Sequence, residues 1–178
     1  MTLIVCSLRL VDEMIAARRP SHLITLLSPP EMIDEHRLMG GGRHLRVGVN
    51  DIAEPMEGLI VPDEAMVARI LDFGSGWTGD APMLIHCWAG ISRSSATAFI
   101  LACARNPRTS EETIAAHIRT VSPIATPNPR LVELADALLG RGGRMTDAVH
   151  AIGRGEAAFE NDPFEVPLRF EPDRTSGS

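Results

Sequence analysis

Short apolar runs alternate with stretches of helical spacing along the chain. Leu3 to Leu8, Ser21 to Ser28, Leu45 to Val49 and Met83 to His86 are brief runs rich in Leu, Ile and Val. Such runs suit strands buried on both faces. Between them lie helical patterns. Val11 to Arg19 is stopped by Pro20. Pro29 and Pro30 open a helix expected over Glu31 to Leu38, broken by Gly40, Gly41 and Gly42. In Pro62 to Phe73, Met66, Ile70 and Phe73 share a face with Val67 and Leu71, and Asp63 and Glu64 stand in the first turn. Arg93 to Arg105 is almost wholly apolar and is expected to be buried on most sides. Thr109 with Glu112 forms a capping-box pattern for a helix through Thr120. Leu131 to Leu139 and Met145 to Ile152 complete the helices. Beyond Gly153 the periodicity is lost, and residues 171–178 read as a disordered tail. The alternation predicts an α/β fold: a mainly parallel central sheet of four or five strands flanked by helices. It predicts one globular unit over residues 1–152 and a C-terminal extension over 153–178.

Composition narrows this picture. With 178 residues, 44% hydrophobic and 22% charged, the chain suits an ordinary globular domain. Its net charge of −6, with no basic stripe, argues against a nucleic-acid partner. All 17 basic residues are arginine, so an anion site must use Arg, His or backbone N–H groups. The three cysteines, Cys6, Cys87 and Cys103, suit a reducing compartment better than a disulfide framework. No apolar stretch is long enough for a bilayer, and the start has no basic signal region. The expectation is a cytoplasmic protein with no membrane partner. The histidines have no metal-ligand spacing, and His22, His44, His117 and His150 read as surface or capping residues. Gly74 to Gly79 matches a dinucleotide fingerprint by letter only, because it follows a helix and precedes a strand.

In open α/β sheets ligands collect beyond the carboxyl ends of strands. After the fourth run comes His86-Cys87-Trp88-Ala89-Gly90-Ile91-Ser92-Arg93-Ser94. A tight turn there, ahead of a helix, aims backbone N–H groups of Trp88, Ala89, Gly90, Ile91, Ser92 and Arg93 at one point. Arg93 adds a planar fork for two oxygens of a phosphate. Gly90 permits backbone angles closed to other residues. The same positive environment favours Cys87 as thiolate, the nucleophilic form. Ser94 is within reach of the sulfur, and His86 is expected to hold the backbone around Cys87. Cys6 and Cys103 read as small core residues. A redox disulfide between one of them and Cys87 is the minor alternative. Trp88 points either into the core or onto the pocket rim, where it would stack on an aryl substrate.

The string His86-Cys87-x-x-Gly90-x-x-Arg93-Ser94 resembles the signature of the cysteine-dependent protein tyrosine phosphatase superfamily. With Ala89 and Ser92 it looks most like the dual-specificity branch, whose loop typically reads Ala-Gly-x-Ser-Arg-Ser. Residues 123–128 (PIATPN) are similar to the proline-asparagine segment of that branch, which implies a supporting role for Asn128. The resemblance implies a phosphatase catalytic domain over residues 1–152 and a phosphocysteine intermediate formed without metal or cofactor. It implies a phosphorylated protein or peptide as substrate, with inorganic phosphate or sulfate able to occupy the loop. It also implies an acid on a loop after a strand, thirty-odd residues before the cysteine. Asp51 fits that place. The stretch is slightly longer than usual, so Glu54 stays open, with Glu57 and Asp63 as weaker rivals. Two other readings stand beside this one: a phosphatase of inositol phosphates or other non-protein substrates, and an inactive phosphate-binding pseudophosphatase.

Overall fold

The computed structural model describes residues 1–36 and 41–172. Its elements are β1 (Thr2–Ser7), α1 (Val11–Arg18), β2 (His22–Leu27), β3 (Arg43–Gly48), α2 (Glu64–Ser75), β4 (Met83–Cys87), α3 (Arg93–Arg105), α4 (Glu111–Val121), α5 (Pro129–Leu138), α6 (Arg144–Ile152) and β5 (Phe164–Pro167). The sheet order is β3-β2-β4-β1-β5. The first four strands are parallel, and β5 runs antiparallel along β1. The architecture is thus an α/β sheet of five mostly parallel strands flanked by helices.

Strand alternation divides the apolar residues between two layers. Leu3, Val5, Ile24, Leu26, Met83, Ile85 and Cys87 pack into the larger core with residues of α2 to α6. Ile4, Cys6, Leu23 and Leu84 pack on the other face against Val11, Met14 and Ile15. Helices on both faces explain why the strands read as continuous apolar runs. Helix α3 lies at the centre of the larger layer, buried from Arg93 through Cys103. It begins one loop after β4, so the first turn of a buried helix meets the carboxyl end of a central strand.

Several local expectations give way to tertiary contacts. The helix expected over Glu31 to Leu38 is a single 3₁₀ turn, Pro29–Glu31, followed by non-helical backbone through His36; Arg37 and Leu38 lie outside the described residues. Its polar groups serve β3 instead: Arg46 donates to the Ile33 carbonyl (3.1 Å) and the His36 N–H to His44 Nδ1 (3.1 Å). Asp63 is an N-cap rather than a first-turn residue, accepting from the Met66 N–H at 2.8 Å. The cap of α4 is Ser110, which accepts from the Thr113 N–H, while Thr109 is buried and donates to the Glu171 carbonyl. Helix α1 ends at Arg18, one residue early, because Arg19 takes a left-handed conformation (φ 47°) and turns the chain before Pro20. Within residues 153–178, where no periodic pattern is visible, β5 adds an edge strand to β1. Residues 173–178 of the expected disordered tail lie outside the described residues.

Candidate active site

Between β4 and α3, residues 88–92 turn tightly around the base of the helix. The peptide unit is planar, with N–H and C=O pointing opposite ways. Fixing a carbonyl outward therefore turns the next residue's amide inward. Around this loop every carbonyl is engaged from outside. The Cys87 carbonyl faces His86 Nδ1 at 3.3 Å. That of Trp88 accepts from the Leu8 N–H (3.1 Å), and that of Ala89 from the Asn161 N–H (2.9 Å). The Gly90 carbonyl accepts from the Asn161 side-chain amide (3.1 Å). Those of Ile91 and Ser92 accept from the Thr126 N–H (3.0 Å) and Asn128 N–H (3.3 Å). Among the described residues, the amides of Trp88 through Ser92 donate to no protein acceptor. The loop is a concave nest with free donors.

Gly90 has φ +74°, and a Cβ there would lie 2.9 Å from the Cys6 carbonyl carbon and 3.0 Å from the Ser7 nitrogen. Both the conformation and the close approach to β1 demand glycine. Cys87 Sγ stands 3.1 Å from Ser94 Oγ. Arg93 is only 5% exposed; one terminal nitrogen donates to the Val49 carbonyl at 2.7 Å, while its buried Nε has no hydrogen-bond partner. An oxyanion in the loop would supply one. Cys87, Arg93 and Asp51 line one cavity of about 500 Å³ together with Ser28, Glu31, Trp88 and Phe159. Trp88 is 54% exposed and so stands on the rim rather than in the core.

Asp51 lies three residues beyond the end of β3. Its Oδ1 accepts from Ser92 Oγ (2.7 Å) and from the Asn128 side-chain amide (2.9 Å), and its Oδ2 lies 3.9 Å from Arg93 Nε. Asn128 Oδ1 caps α5 by accepting from the Arg130 and Leu131 N–H groups, both at 3.1 Å. One buried amide thus ties the Asp51 loop to a helix start. Glu54 and Glu57 are exposed and line neither this cavity nor the groove beside it.

Behind the loop runs a chain of hydrogen bonds that the sequence did not disclose. His44 Nδ1 accepts from the His36 N–H, so Nε2 of the neutral ring carries the proton and donates to Thr25 Oγ1 (2.7 Å). Thr25 then donates to His86 Nε2 (2.6 Å), leaving His86 Nδ1 as the donor toward the Cys87 carbonyl. Burial holds both His44 and His86 down to about 4, with the neighbouring cations adding to the effect. The rings are therefore neutral, as this assignment of protons requires. The surface or capping role expected for His44 is corrected to a half-buried link in this chain. His22 and His117 also pack inward, edge-on to Phe73 and Phe170. Burial pushes the Cys6 thiol up to about 12 and raises Cys103 as well, so both stay protonated. Among the described residues no group of His, Cys, Asp or Glu could hold a metal ion. No described helix is long and apolar enough to cross a membrane. Asn161 and Phe159 went unnoticed in the sequence, because neither sits at a recognisable spacing from the loop.

No protein-family model and no curated protein matches the chain. Solved structures do. DUSP15 superposes with TM-score 0.56 at 18% identity, over 87% of this chain and 94% of that one. PTPMT1 in complex with PI(5)P gives 0.56 at 14% identity, over 84% and 91%. The Yvh1 phosphatase domain from Chaetomium thermophilum gives 0.55 at 21% identity, over 80% and 93%. These likenesses span nearly the whole of each neighbour. The chain has the protein tyrosine phosphatase fold, in the form found in dual-specificity phosphatases.

Proposed function

We propose that the protein is a cysteine-dependent phosphomonoesterase acting on phosphotyrosine in proteins, with phosphoserine and phosphothreonine as secondary substrates. One observation carries this reading: the carbonyls of Cys87 to Ser92 are tied outward and, among the described residues, the amides of Trp88 to Ser92 are unclaimed, in front of a cysteine and a buried arginine with a free Nε–H. Three oxygens of a phosphoryl group fit such a set of donors. The amides of Trp88 to Arg93 and the Arg93 guanidinium bind the phosphoryl group. Cys87 attacks phosphorus as thiolate, forming an S–P bond as the bond to the substrate oxygen breaks. Asp51 gives its proton to that oxygen. In the second step Asp51 accepts a proton from water, whose oxygen attacks phosphorus. The S–P bond breaks, and the Ser94 hydroxyl donates to the departing thiolate. Orthophosphate leaves, and both groups return to their starting state. His86 and Asn128 hold the nucleophile and the Asp51 loop in place.

The rim favours an aryl ester. Trp88 and Phe159, the latter 96% exposed, flank the cavity with flat apolar surface. Among the described lining residues Arg93 is the only cation, against Glu31 and Asp51. That balance suits one phosphate better than the several of an inositol phosphate. Hydrolysis of phosphotyrosyl peptides, phosphoseryl peptides and inositol phosphates, compared with Cys87→Ser, tests the proposal. Phosphotyrosyl peptides are expected to turn over fastest, and Cys87→Ser to show no turnover. Preferential hydrolysis of inositol phosphates would reassign the substrate. Equal background rates in wild type and Cys87→Ser would end the enzymatic reading.

A further inference from the structure

We propose that residues 153–161 form a strap that completes the oxyanion cradle, with Asn161 as its positioning residue. The inference rests on the phosphatase reading above. Asn161 is 5% exposed and grips two successive carbonyls of the loop, Ala89 through its backbone N–H and Gly90 through its side chain. Because each peptide unit is rigid, these two bonds set the direction of the Gly90 and Ile91 amides. Those are the central donors of the nest. The second hydrogen of the same side-chain amide goes to Ser122 Oγ at 2.8 Å, so its aim is fixed from both sides.

The strap is seated for this task. Arg119 holds the Gly153 carbonyl (2.8 Å). The Gly155 N–H donates to Thr126 Oγ1 (3.0 Å), and the Glu156 N–H to the Pro123 carbonyl (3.1 Å). At Gly155 a Cβ would lie 2.5 Å from the Ile124 carbonyl, so the strap lies flat on residues 122–126. At its far end the Glu160 carboxylate accepts from the Ser7 hydroxyl and from Arg9 (3.0 Å), beside the end of β1. Ser122, Thr126 and Asn161 therefore form one backing wall. It fixes the Ala89, Gly90 and Ile91 carbonyls, while Leu8, just past β1, and Asn128, the cap of α5, fix those of Trp88 and Ser92. The strap also brings Ala158 and Phe159 to the mouth of the cavity.

The test is calorimetric titration of inorganic phosphate, well below the melting temperature, with p-nitrophenyl phosphate kinetics alongside. Asn161→Ala is expected to weaken phosphate binding tenfold or more and to lower kcat/KM by a similar factor. A residue that only supported the fold would shift the melting temperature and leave the affinity of the folded protein unchanged. Ser122→Ala keeps Asn161 but frees its side chain, and is expected to weaken phosphate three- to fivefold. It decides alone if Asn161→Ala does not fold. Wild-type binding with unchanged affinity in the folded variants overturns the strap and leaves the phosphatase reading standing. Wild type that binds no phosphate overturns both.

Discussion

At Gly90 two constraints meet: φ is +74°, and a methyl group would collide with the backbone of Cys6 and Ser7. Neither can relax, since one is set by the loop and the other by a central strand. Gly90→Ala is expected to cost at least about 2 kcal/mol of stability and to abolish phosphate binding, read by chemical denaturation and phosphate titration. Asp51 makes a different kind of prediction. If it protonates the leaving oxygen, its removal must hurt most where that oxygen is most basic. Asp51→Asn is expected to lower kcat/KM, which reports the first step alone, roughly 100-fold or more for phosphotyrosine and far less for p-nitrophenyl phosphate. An equal loss on both substrates would remove Asp51 from acid duty. The proposed site residues Cys87, Gly90, Arg93 and Ser94 could be picked out in the sequence because they lie in one short stretch between a strand and a helix. Asp51 was legible from its place after a strand, although nothing local separated it from Glu54. The structure adds the grip of Ser92 and Asn128 on the Asp51 carboxylate, which supports the proposed choice.

The strands contribute more than a platform. Thr25 on β2 links His44 on β3 to His86 on β4, so the proton positions of three neighbouring strands depend on one another. Thr25→Val leaves two ring nitrogens without partners and is expected to cost on the order of 1–3 kcal/mol, measured by urea unfolding. The same chain predicts the acid limit of the fold. His86 titrates near 6.5 when unfolded and about 4 when folded. Between these values only the unfolded chain takes up the proton, so stability rises with pH across this window and is level above it. The buried His86 alone contributes on the order of 3 kcal/mol to this slope. Stability that stays flat from pH 6.5 to 4 would contradict the neutral assignment. The helical elements were legible to within a few residues, except where a polar group found a better partner elsewhere. The segment after Pro30 is the clearest case: its backbone is satisfied by the Arg46 and His44 side chains of β3, so a helix has nothing to gain.

Across the whole molecule, one buried carboxylate ties the helical layer together. Glu111 of α4, 2% exposed, pairs with Arg141 (3.1 Å) before α6 and with Arg144 (3.1 Å) at its start. Arg141 also donates to the Cys103 carbonyl in α3 (2.7 Å). Removing Glu111 leaves buried positive charge without a counterpart, and Glu111→Ala is expected to cost about 3–5 kcal/mol in chemical denaturation. A loss under about 1 kcal/mol would mean that water reaches Arg141 as well as the exposed Arg144.

The sequence by itself determined the sheet class, most of the helices and the candidate loop in which the proposed reacting groups stand. These depend on periodicity and on a few adjacent residues, which any reader of the chain can see. Only the tertiary structure decided what holds the cradle open. The donors that turn its carbonyls outward come from Leu8, His86, Thr126, Asn128 and Asn161, separated by nearly the length of the chain. No local pattern marks such partners, because a hydrogen bond between distant segments is settled by where the strands and helices bring them. The extension after Gly153 has no helical or strand period for the same reason. Its contacts are to carbonyls and side chains already in place, and its sequence need satisfy only those.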